Sequence, residues 1–319
     1  MAPYREPDLT RLRTVPIAGR PNKVADELLA RIPGGDRSFH AFLESLPDIL
    51  AARDLRRVIT HIATAHRNSR GIVVMLGGHV IKTGLGPLLV DWIRRGIITH
   101  VAMNGAAAIH DFELAAFGGT SEDVVAGLGD GTFGMAEETG REMNAACGAA
   151  AAEGKGLGQG FAEYLSARPA NADPDVSVLL TCLRHDVGVT VHSAIGAEIT
   201  HQHPTADGAA LGDTSHRDFR RLAGALLAID HGGAVLNLGS AVVMPEVFLK
   251  ALSICRNLED GRPTDFLAAD FDMQRHYRPR VNVVERPTRD SGIGIQLTGH
   301  HEILLPLLMW GVLDQLEAG

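Results

Sequence analysis

The stretch MNGAAAIHDFELAAFGG (103–119) brings three ionisable side chains, His110, Asp111 and Glu113, close behind an apolar run. Small residues at Gly105–Ala108 indicate that another group approaches the backbone there. Histidine suits general-base chemistry because its pKa lies near 7. We interpret Gly105–Ala108 as space for a ligand, with His110 and Asp111 turned toward it. The alternative is that Asp111 lies in the first turn of a helix, where the helix dipole favours an acid.

Histidine is abundant elsewhere in the chain, and one spacing invites a metal interpretation. His201 and His203 would point the same way if they lay on a strand. A metal ion needs further ligands, and His185, His192 and His216 are only sequence neighbours. We therefore predict no metal site, and a metal-dependent hydrolase or lyase built on this cluster stays an alternative.

Strands and helices alternate from Gly71 onward. Short apolar runs followed by helical patterns predict a parallel sheet covered on both faces. The predicted strands are GIVVML, ITHVAM, VGVTVH, AVLNLG and RVNVV. We expect a Rossmann-like α/β domain over residues 71–319 and a helical N-terminal extension over residues 1–70. Residues 120–170 are interpreted as helix plus loop, residues 256–280 as a polar insertion, and Ser215 as the cap of the helix that follows.

Composition excludes several classes of protein. The net charge of −8 argues against general binding of nucleic acid or anionic membranes. Three widely spaced cysteines fit reduced thiols in a cytoplasmic protein. The first residues lack the apolar segment of a signal peptide, and the sequence has no apolar run long enough to span a membrane.

Glycine-containing junctions follow several predicted strands: MLGGHVIKTG, MNGAAAIHD, HSAIGAE and NLGSAVVMPE. Ligands bind outside the carboxyl ends of parallel strands, where backbone N–H groups can reach a phosphate. Several such junctions together favour a nucleotide or dinucleotide. The sequence contains neither GxGxxG nor GxxxxGK[ST], so the usual Rossmann and P-loop motifs are absent.

The same junctions resemble deoxyhypusine synthase, an NAD-dependent transferase that moves an aminobutyl group from the polyamine spermidine to a protein lysine. The resemblance extends from about Gly71 to Gly299. It is carried by MLGGHVIKTGLGPLLVDWIRRGIITHVAMNGAAAIHD, TADGAALGD, LNLGSAVVMPE and VNVVERPTRDSGIG. It implies a homotetramer that holds NAD at subunit interfaces.

The resemblance also implies roles for individual residues. His110 stands where the family has a glutamate, and Gly292 completes an Asp-Ser-Gly that matches the family. The positions matched to the cofactor site are Thr83, Gly84, Asn104, Gly105, Ala106, Asp207, Gly239 and Ser291. Asp213 and Asp290 match aspartates that face the substrate.

The sequence departs from the family where its covalent chemistry lies. No lysine follows Lys250, so the lysine that forms an imine in the family has no counterpart. Pro245 replaces the family's active-site histidine, and the His300–His301 region replaces a tryptophan. These departures argue against a true deoxyhypusine synthase.

We therefore predict an NAD-dependent enzyme that acts on a small amine or amino-acid-like substrate. The candidate bases are His110, His300 and His301, and carboxylates suit an amine because an ammonium group only donates hydrogen bonds. The carboxylates available to orient a base or bind a cation are Asp111, Asp213, Asp290 and Glu302. A non-catalytic or regulatory NAD-binding protein remains the alternative of a different class.

Overall fold

The computed structural model describes residue 4 and residues 6–168 and 172–317. These residues fall into two compact units, one that ends at Arg53 and one that begins at Asp54. The division comes earlier in the chain than the boundary predicted after residue 70. Besides the start of the helix Leu50–Arg67, the described residues of the first unit form three 3-10 helices and one α-helix: Leu9–Arg11, Ile17–Gly19, Asp26–Leu28 and α1 (Phe39–Ser45). Ser38 caps α1 by accepting a hydrogen bond from Ala41 N at 3.1 Å.

The second unit is built on a six-stranded, all-parallel sheet. Its strands are β1 (Ile72–Leu76), β2 (His100–Asn104), β3 (Gly188–His192), β4 (Ala234–Leu238), β5 (Leu267–Asp272) and β6 (Ile293–Thr298). Their order is β3-β2-β1-β4-β5-β6. Leu76 pairs in register with Met103 of β2 and Leu238 of β4. The carboxyl ends of these strands are therefore level, and the strand order reverses between β1 and β4.

Helices flank this sheet. The α-helices are α2 (Leu50–Arg67), α3 (Gly78–Lys82), α4 (Gly86–Arg94), α5 (Gly105–Phe117), α6 (Val124–Asp130), α7 (Glu137–Ala152), α8 (Leu157–Ala167), α9 (Val178–Arg184), α10 (Gly208–Ala225), α11 (Val243–Leu258) and α12 (His301–Glu317). Two 3-10 helices and a π-helix complete the set: Ile199–Gln202, Leu226–Ile229 and Pro279–Glu285. Among the described helices, none is both long enough and apolar enough to cross a membrane.

The core explains why the strands are continuous apolar runs. Met75 of β1 is fully buried in a cluster with Leu222 of α10, Phe248 of α11 and Val283 of the π-helix. Each such side chain stabilises the fold by about 1.5–3 kcal/mol relative to exposure to water. Central parallel strands are covered on both faces and therefore lack the polar alternation of exposed strands. The predicted α/β fold with a parallel sheet is confirmed.

The predicted insertion at residues 256–280 was wrong, because it contains β5. The strand lies between β4 and β6 and is buried along its whole length. The strand was not predicted because its sequence, LAADFD, contains two aspartates, which are uncommon in buried strands. Asp270 is tolerated inside because its carboxylate accepts hydrogen bonds from Asn237 Nδ2 at 2.7 Å and from Gln296 Nε2 at 2.8 Å.

The run RVNVV was wrongly predicted as a strand and is part of the π-helix. Asn282 in this helix donates from Nδ2 to Glu246 Oε1 of α11 at 2.9 Å, and Val283 enters the core. A short apolar run does not distinguish a strand from a buried helix. The strand at this edge of the sheet is β6, further along the chain.

Two helix predictions also change. Residues 120–170, predicted as helix plus loop, contain α6, α7 and α8; their last part, 169–170, lies outside the described residues. Helix α10 begins before Ser215 and is capped by Asp207, whose carboxylate accepts from Ala209 N at 2.8 Å and Ala210 N at 3.2 Å. Ser215 instead lies inside the helix and accepts from Ser193 N at 3.0 Å.

Candidate functional site

The strand order reverses between β1 and β4, and in a doubly wound sheet a ligand crevice is expected at the carboxyl ends of these two strands. Gly77 follows β1 and Gly239 follows β4. A Cβ added to Gly77 would lie 1.9 Å from Gly239 O, so the two connections meet backbone to backbone. Gly239 has φ +66°, a conformation that a residue with a side chain rarely adopts. In doubly wound α/β sheets this is the position where ligands bind.

His301 lies at this crevice as the first residue of α12. A Cβ added to Gly239 would lie 3.0 Å from His301 Nε2, and that nitrogen donates to Phe271 O at 3.2 Å. The other nitrogen, Nδ1, is buried and has no hydrogen-bond partner within the described part of the chain. Burial lowers the pKa of His301, so Nδ1 is a bare acceptor at neutral pH. The ring of His79 lies 5.6 Å from that of His301, centroid to centroid.

His110 lies one strand away and lines a cavity of about 670 Å³. Helix α5 positions it, and Asn104 at the end of β2 caps this helix by accepting from Ala107 N at 2.9 Å. A Cβ added to Gly78 would lie 3.3 Å from His110 Cδ2, so the ring packs beside the connection that leaves β1. Burial is the main cause that lowers the pKa of His110. The imidazole is therefore neutral at pH 7.

Hydroxyl groups connect His110 to Glu113, one turn further along α5. His110 Nδ1 and Thr120 Oγ1 lie 2.7 Å apart, and Thr120 Oγ1 hydrogen-bonds to Glu113 Oε2. Thr139 of α7 donates from Oγ1 to the other carboxylate oxygen at 2.8 Å. All four side chains line the cavity.

The space above Gly105, expected to be free for a ligand, is filled by Glu198. A Cβ added to Gly105 would lie 2.3 Å from Glu198 Cδ. The Glu198 carboxylate is held by Ala194 N at 2.9 Å, Ser193 Oγ at 2.8 Å and His201 Nε2 at 3.0 Å. It occupies the N-terminus of α5, where the helix dipole favours a negative charge. The small residue accommodates the protein's own carboxylate, which corrects our interpretation of this stretch.

Asp111 does not turn toward a ligand with His110. It is completely buried and accepts hydrogen bonds from Ser177 Oγ at 2.8 Å, Val178 N at 2.7 Å and Leu179 N at 3.1 Å. Burial raises its pKa to about 6. The carboxylate satisfies the first N–H groups of α9, which is a structural role.

The two aspartates near α10 lie outside the cavity that holds His110. Asp207 is exposed and caps the helix, as described above. Asp213, also exposed, pairs with Arg217 Nε at 3.1 Å on the same helix. Such an exposed pair contributes little to stability.

Asp290 and Ser291 lie at the amino edge of the sheet, on the side opposite to His301. They precede β6, and Ser291 Oγ accepts from Asp265 N at 3.1 Å. A Cβ added to Gly292 would lie 2.4 Å from Phe266 O, just before β5 begins. The structure therefore does not bring Asp290 or Ser291 to the carboxyl-edge crevice.

The remaining cofactor positions differ in their location. Ala106 lines the cavity and packs on Gly78. Thr83 ends α3, and its Oγ1 donates to His79 O at 2.9 Å. Gly84 follows with φ +85° and has open space where a side chain would be. The α3 turn therefore lies between the crevice and the cavity, since Lys82 also lines the cavity.

His201 and His203, the pair considered as metal ligands, form hydrogen bonds within the protein. His201 lies in a 3-10 helix and contacts Glu198, and its Nδ1 accepts from Gly196 N at 3.1 Å. His203 donates from Nε2 to Gly134 O at 2.8 Å. Across residues 6–168 and 172–317, no group of three or more His, Cys, Asp or Glu side chains is arranged to hold a metal ion. The three cysteines are free and buried.

Sequence reasoning missed His79, Thr120, Thr139 and Glu198. His79 lies within the junction MLGGHVIKTG, where the prediction rests on the glycines. Thr120 directly follows the glycine pair that ends α5. Glu198 ends the junction HSAIGAE, where the prediction rested on the glycine and not on the carboxylate. Nothing near Thr139 in sequence indicates a site, because Thr139 reaches the cavity from α7.

Solved structures with the same arrangement of elements identify the fold. AgrE, solved with ornithine and NAD⁺, superposes with a TM-score of 0.53 at 14% identity, over 82% of this chain and 32% of AgrE. A candidate deoxyhypusine synthase from Entamoeba histolytica gives 0.50 at 9% identity, over 87% of this chain and 93% of its own. The chain has the deoxyhypusine synthase-like fold.

A third neighbour with this fold is ArgZ, an arginine dihydrolase of cyanobacteria. It gives a TM-score of 0.50 at 16% identity and is covered over 83% of this chain and 33% of its own. The chain thus spans about a third of the length of ArgZ and AgrE. No protein-family profile and no curated protein sequence matches the chain. At these identities the likeness establishes the fold alone.

Proposed function

We propose that this protein is an NAD-dependent enzyme that acts on a small amine or amino-acid-like substrate without a lysine imine. The observation that carries the proposal is the cavity around His110 at the carboxyl edge of a doubly wound sheet. The charged or ionisable residues of its lining are Lys82, His110, Glu113, Glu122, Glu138 and Glu198. Four carboxylates against one lysine favour a cationic ligand, because ammonium groups need acceptors.

Two buried acceptors beside the carboxyl ends of β1 and β4 support the proposal that a dinucleotide binds there. Among the residues that the structure describes, His301 Nδ1 and Asn237 Oδ1 are both buried and without a hydrogen-bond partner. Acceptors suit the ribose hydroxyls and the carboxamide of NAD rather than its phosphates. Bound NAD would supply the hydride acceptor. In the proposed reaction, His110 removes the proton from the substrate amine or alcohol, which its neutral form allows.

The resemblance further implies a cytoplasmic homotetramer, and AgrE, with this fold, has been solved with NAD⁺. The fold family places NAD at subunit interfaces. Light scattering on the purified protein tests the tetramer directly. A monomer that binds NAD tightly would contradict the expected interface site.

The deciding experiment measures cofactor and turnover separately. Purified protein is denatured and its supernatant analysed by mass spectrometry, and NAD⁺ binding to the protein is measured by calorimetry. NADH absorbance is then followed with ornithine, arginine, lysine and spermidine. NAD binding with NADH formation supports the enzyme, whereas binding without turnover of any amine favours the non-catalytic alternative. Absence of nucleotide and of binding would refute both.

A further inference from the structure

The hydrogen bonds around His110 determine which of its nitrogens carries the proton. An ionised carboxylate accepts hydrogen bonds only, and a hydroxyl has one proton to donate. Thr120 gives that proton to Glu113 Oε2. At His110 Nδ1, 2.7 Å away, Thr120 Oγ1 can therefore only accept. His110 Nδ1 must be the donor.

Thr139 helps to keep the Glu113 carboxylate in the orientation that accepts a hydrogen bond from Thr120. It occupies the other oxygen, Glu113 Oε1, at 2.8 Å, and its own side chain is buried. Glu113 is thus held between two hydroxyl donors from different elements, the loop after α5 and helix α7. The carboxylate cannot turn away from Thr120 without also losing its hydrogen bond from Thr139.

We propose that Thr120 and Glu113 are positioning residues that hold His110 as the Nδ1–H tautomer, so that Nε2 is the base. The catalytic part of this inference rests on the function proposed above, whereas the tautomer does not. Within the described residues no group hydrogen-bonds to His110 Nε2, although the side chain lines the cavity. Nε2 is bonded to Cδ2, the atom that approaches Gly78, so the lone pair lies on the α3 side of the ring.

The charges around the ring agree with a neutral base. Glu113 raises the pKa of His110, while Lys82 and His79, both on α3, lower it. Burial is the largest influence and lowers the pKa, so the net direction is downward. Glu122, in the loop after α5, and Glu138, in α7, also line the cavity. The imidazole therefore keeps one proton near pH 7, and the hydroxyl chain determines where that proton is.

Nitrogen NMR of the full-length protein, labelled with ¹⁵N-histidine, tests the tautomer without any substrate. A protonated and a bare imidazole nitrogen have well-separated shifts, and the His110 signals are identified by their loss in His110→Gln. We expect Nδ1 protonated and Nε2 bare at pH 7.5. Thr120→Val should shift the tautomer ratio about tenfold toward Nε2–H, since it removes one hydrogen bond to a hydroxyl tied to a charge.

Two further variants separate positioning from folding. Thr120→Ser keeps the hydroxyl and should retain the wild-type spectrum. Thr139→Val removes the neighbouring hydroxyl without touching Thr120 and should leave His110 Nδ1 protonated. A wild-type spectrum with Nε2 protonated would overturn the inference, as would an unchanged tautomer in folded Thr120→Val. Failure of NAD⁺ to bind in calorimetry would refute the proposed enzyme but not the tautomer.

Discussion

Glu198 lies so close over Gly105 that no other residue type fits beneath its carboxylate. A Cβ on Gly105 would meet Glu198 Cδ at 2.3 Å and Oε1 at 2.4 Å. This contact joins the start of α5 to the loop after β3. It also places a fixed negative charge at the helix N-terminus beside the cavity, where a phosphate would otherwise be favoured.

Gly105→Ala should therefore destabilise the protein, because Glu198 must leave three hydrogen-bond donors. We expect a loss of about 1–3 kcal/mol in the free energy of unfolding, measured by urea denaturation. Gly148→Ala is the matched control: this glycine lies inside α7 with open space around it and should gain about 0.5–1 kcal/mol. Equal effects in both variants would contradict the proposed contact.

His110→Gln should abolish NADH formation while leaving NAD⁺ affinity unchanged. Loss of a general base lowers turnover by about 10²–10⁴-fold. His300→Gln serves as the comparison, because that side chain is exposed and faces Glu302 at 3.6 Å outside the cavity. The measurement is the steady-state rate of NADH formation by both variants, with whichever of ornithine, arginine, lysine and spermidine the wild type turns over fastest. A rate loss shared by both variants would remove His110 from its assigned role.

Asp207→Ala should lose stability and, if the resemblance holds at this position, NAD affinity as well. The cap of α10 is worth about 1 kcal/mol, and Asp207→Asn should preserve it because asparagine caps equally well. Calorimetry with NAD⁺ on both variants separates the two roles. Lys82→Ala should weaken binding less than Asp207→Ala. Unchanged affinity in folded Asp207→Ala would show that the cofactor alignment is incorrect.

Acid should destabilise the protein through His100. This side chain is buried and hydrogen-bonds from Nε2 to Thr190 Oγ1 at 3.2 Å, and burial lowers its pKa to about 4. Between pH 6.5 and pH 4, His100 is protonated in the unfolded chain but stays neutral in the folded chain. Stability therefore falls as the pH drops from 6.5 toward 4, by roughly 3 kcal/mol at pH 4.

The measurement compares urea unfolding of wild type and His100→Gln from pH 4 to pH 8. Their difference reports His100 together with its effect on His192, whose pKa is lowered to about 3 by burial and by His100. Asp111, Asp218 and Asp270 have pKa values raised to about 6 by burial and contribute with the opposite sign in both proteins. His185→Gln is the control, since that imidazole is exposed to solvent. Parallel curves for wild type and His100→Gln would refute the prediction.

Local sequence sufficed for the four mainly apolar strands β1 to β4, which follow from short apolar runs and were predicted in the right order. The helices between them were predicted less completely, because α6, α7 and α8 were interpreted as helix plus loop, and α3 and α9 were not predicted. β5 was missed because an aspartate such as Asp270 is expected at the surface. Asp270 can be buried only because Asn237 and Gln296, from neighbouring strands, donate hydrogen bonds to it. The π-helix was mistaken for a strand because periodicity in so short a segment is ambiguous.

The sequence by itself determined the class of the fold, the edge of the sheet at which a ligand is expected, and His110 as a candidate base. These depend on residue type and near-neighbour spacing. Only the tertiary structure decided that Asp111 caps α9, that Asp290 lies at the opposite edge, and that Thr120, Thr139 and Glu198 surround the cavity. Hydrogen bonds between residues far apart in sequence arise when separate elements pack together, so no local pattern encodes them.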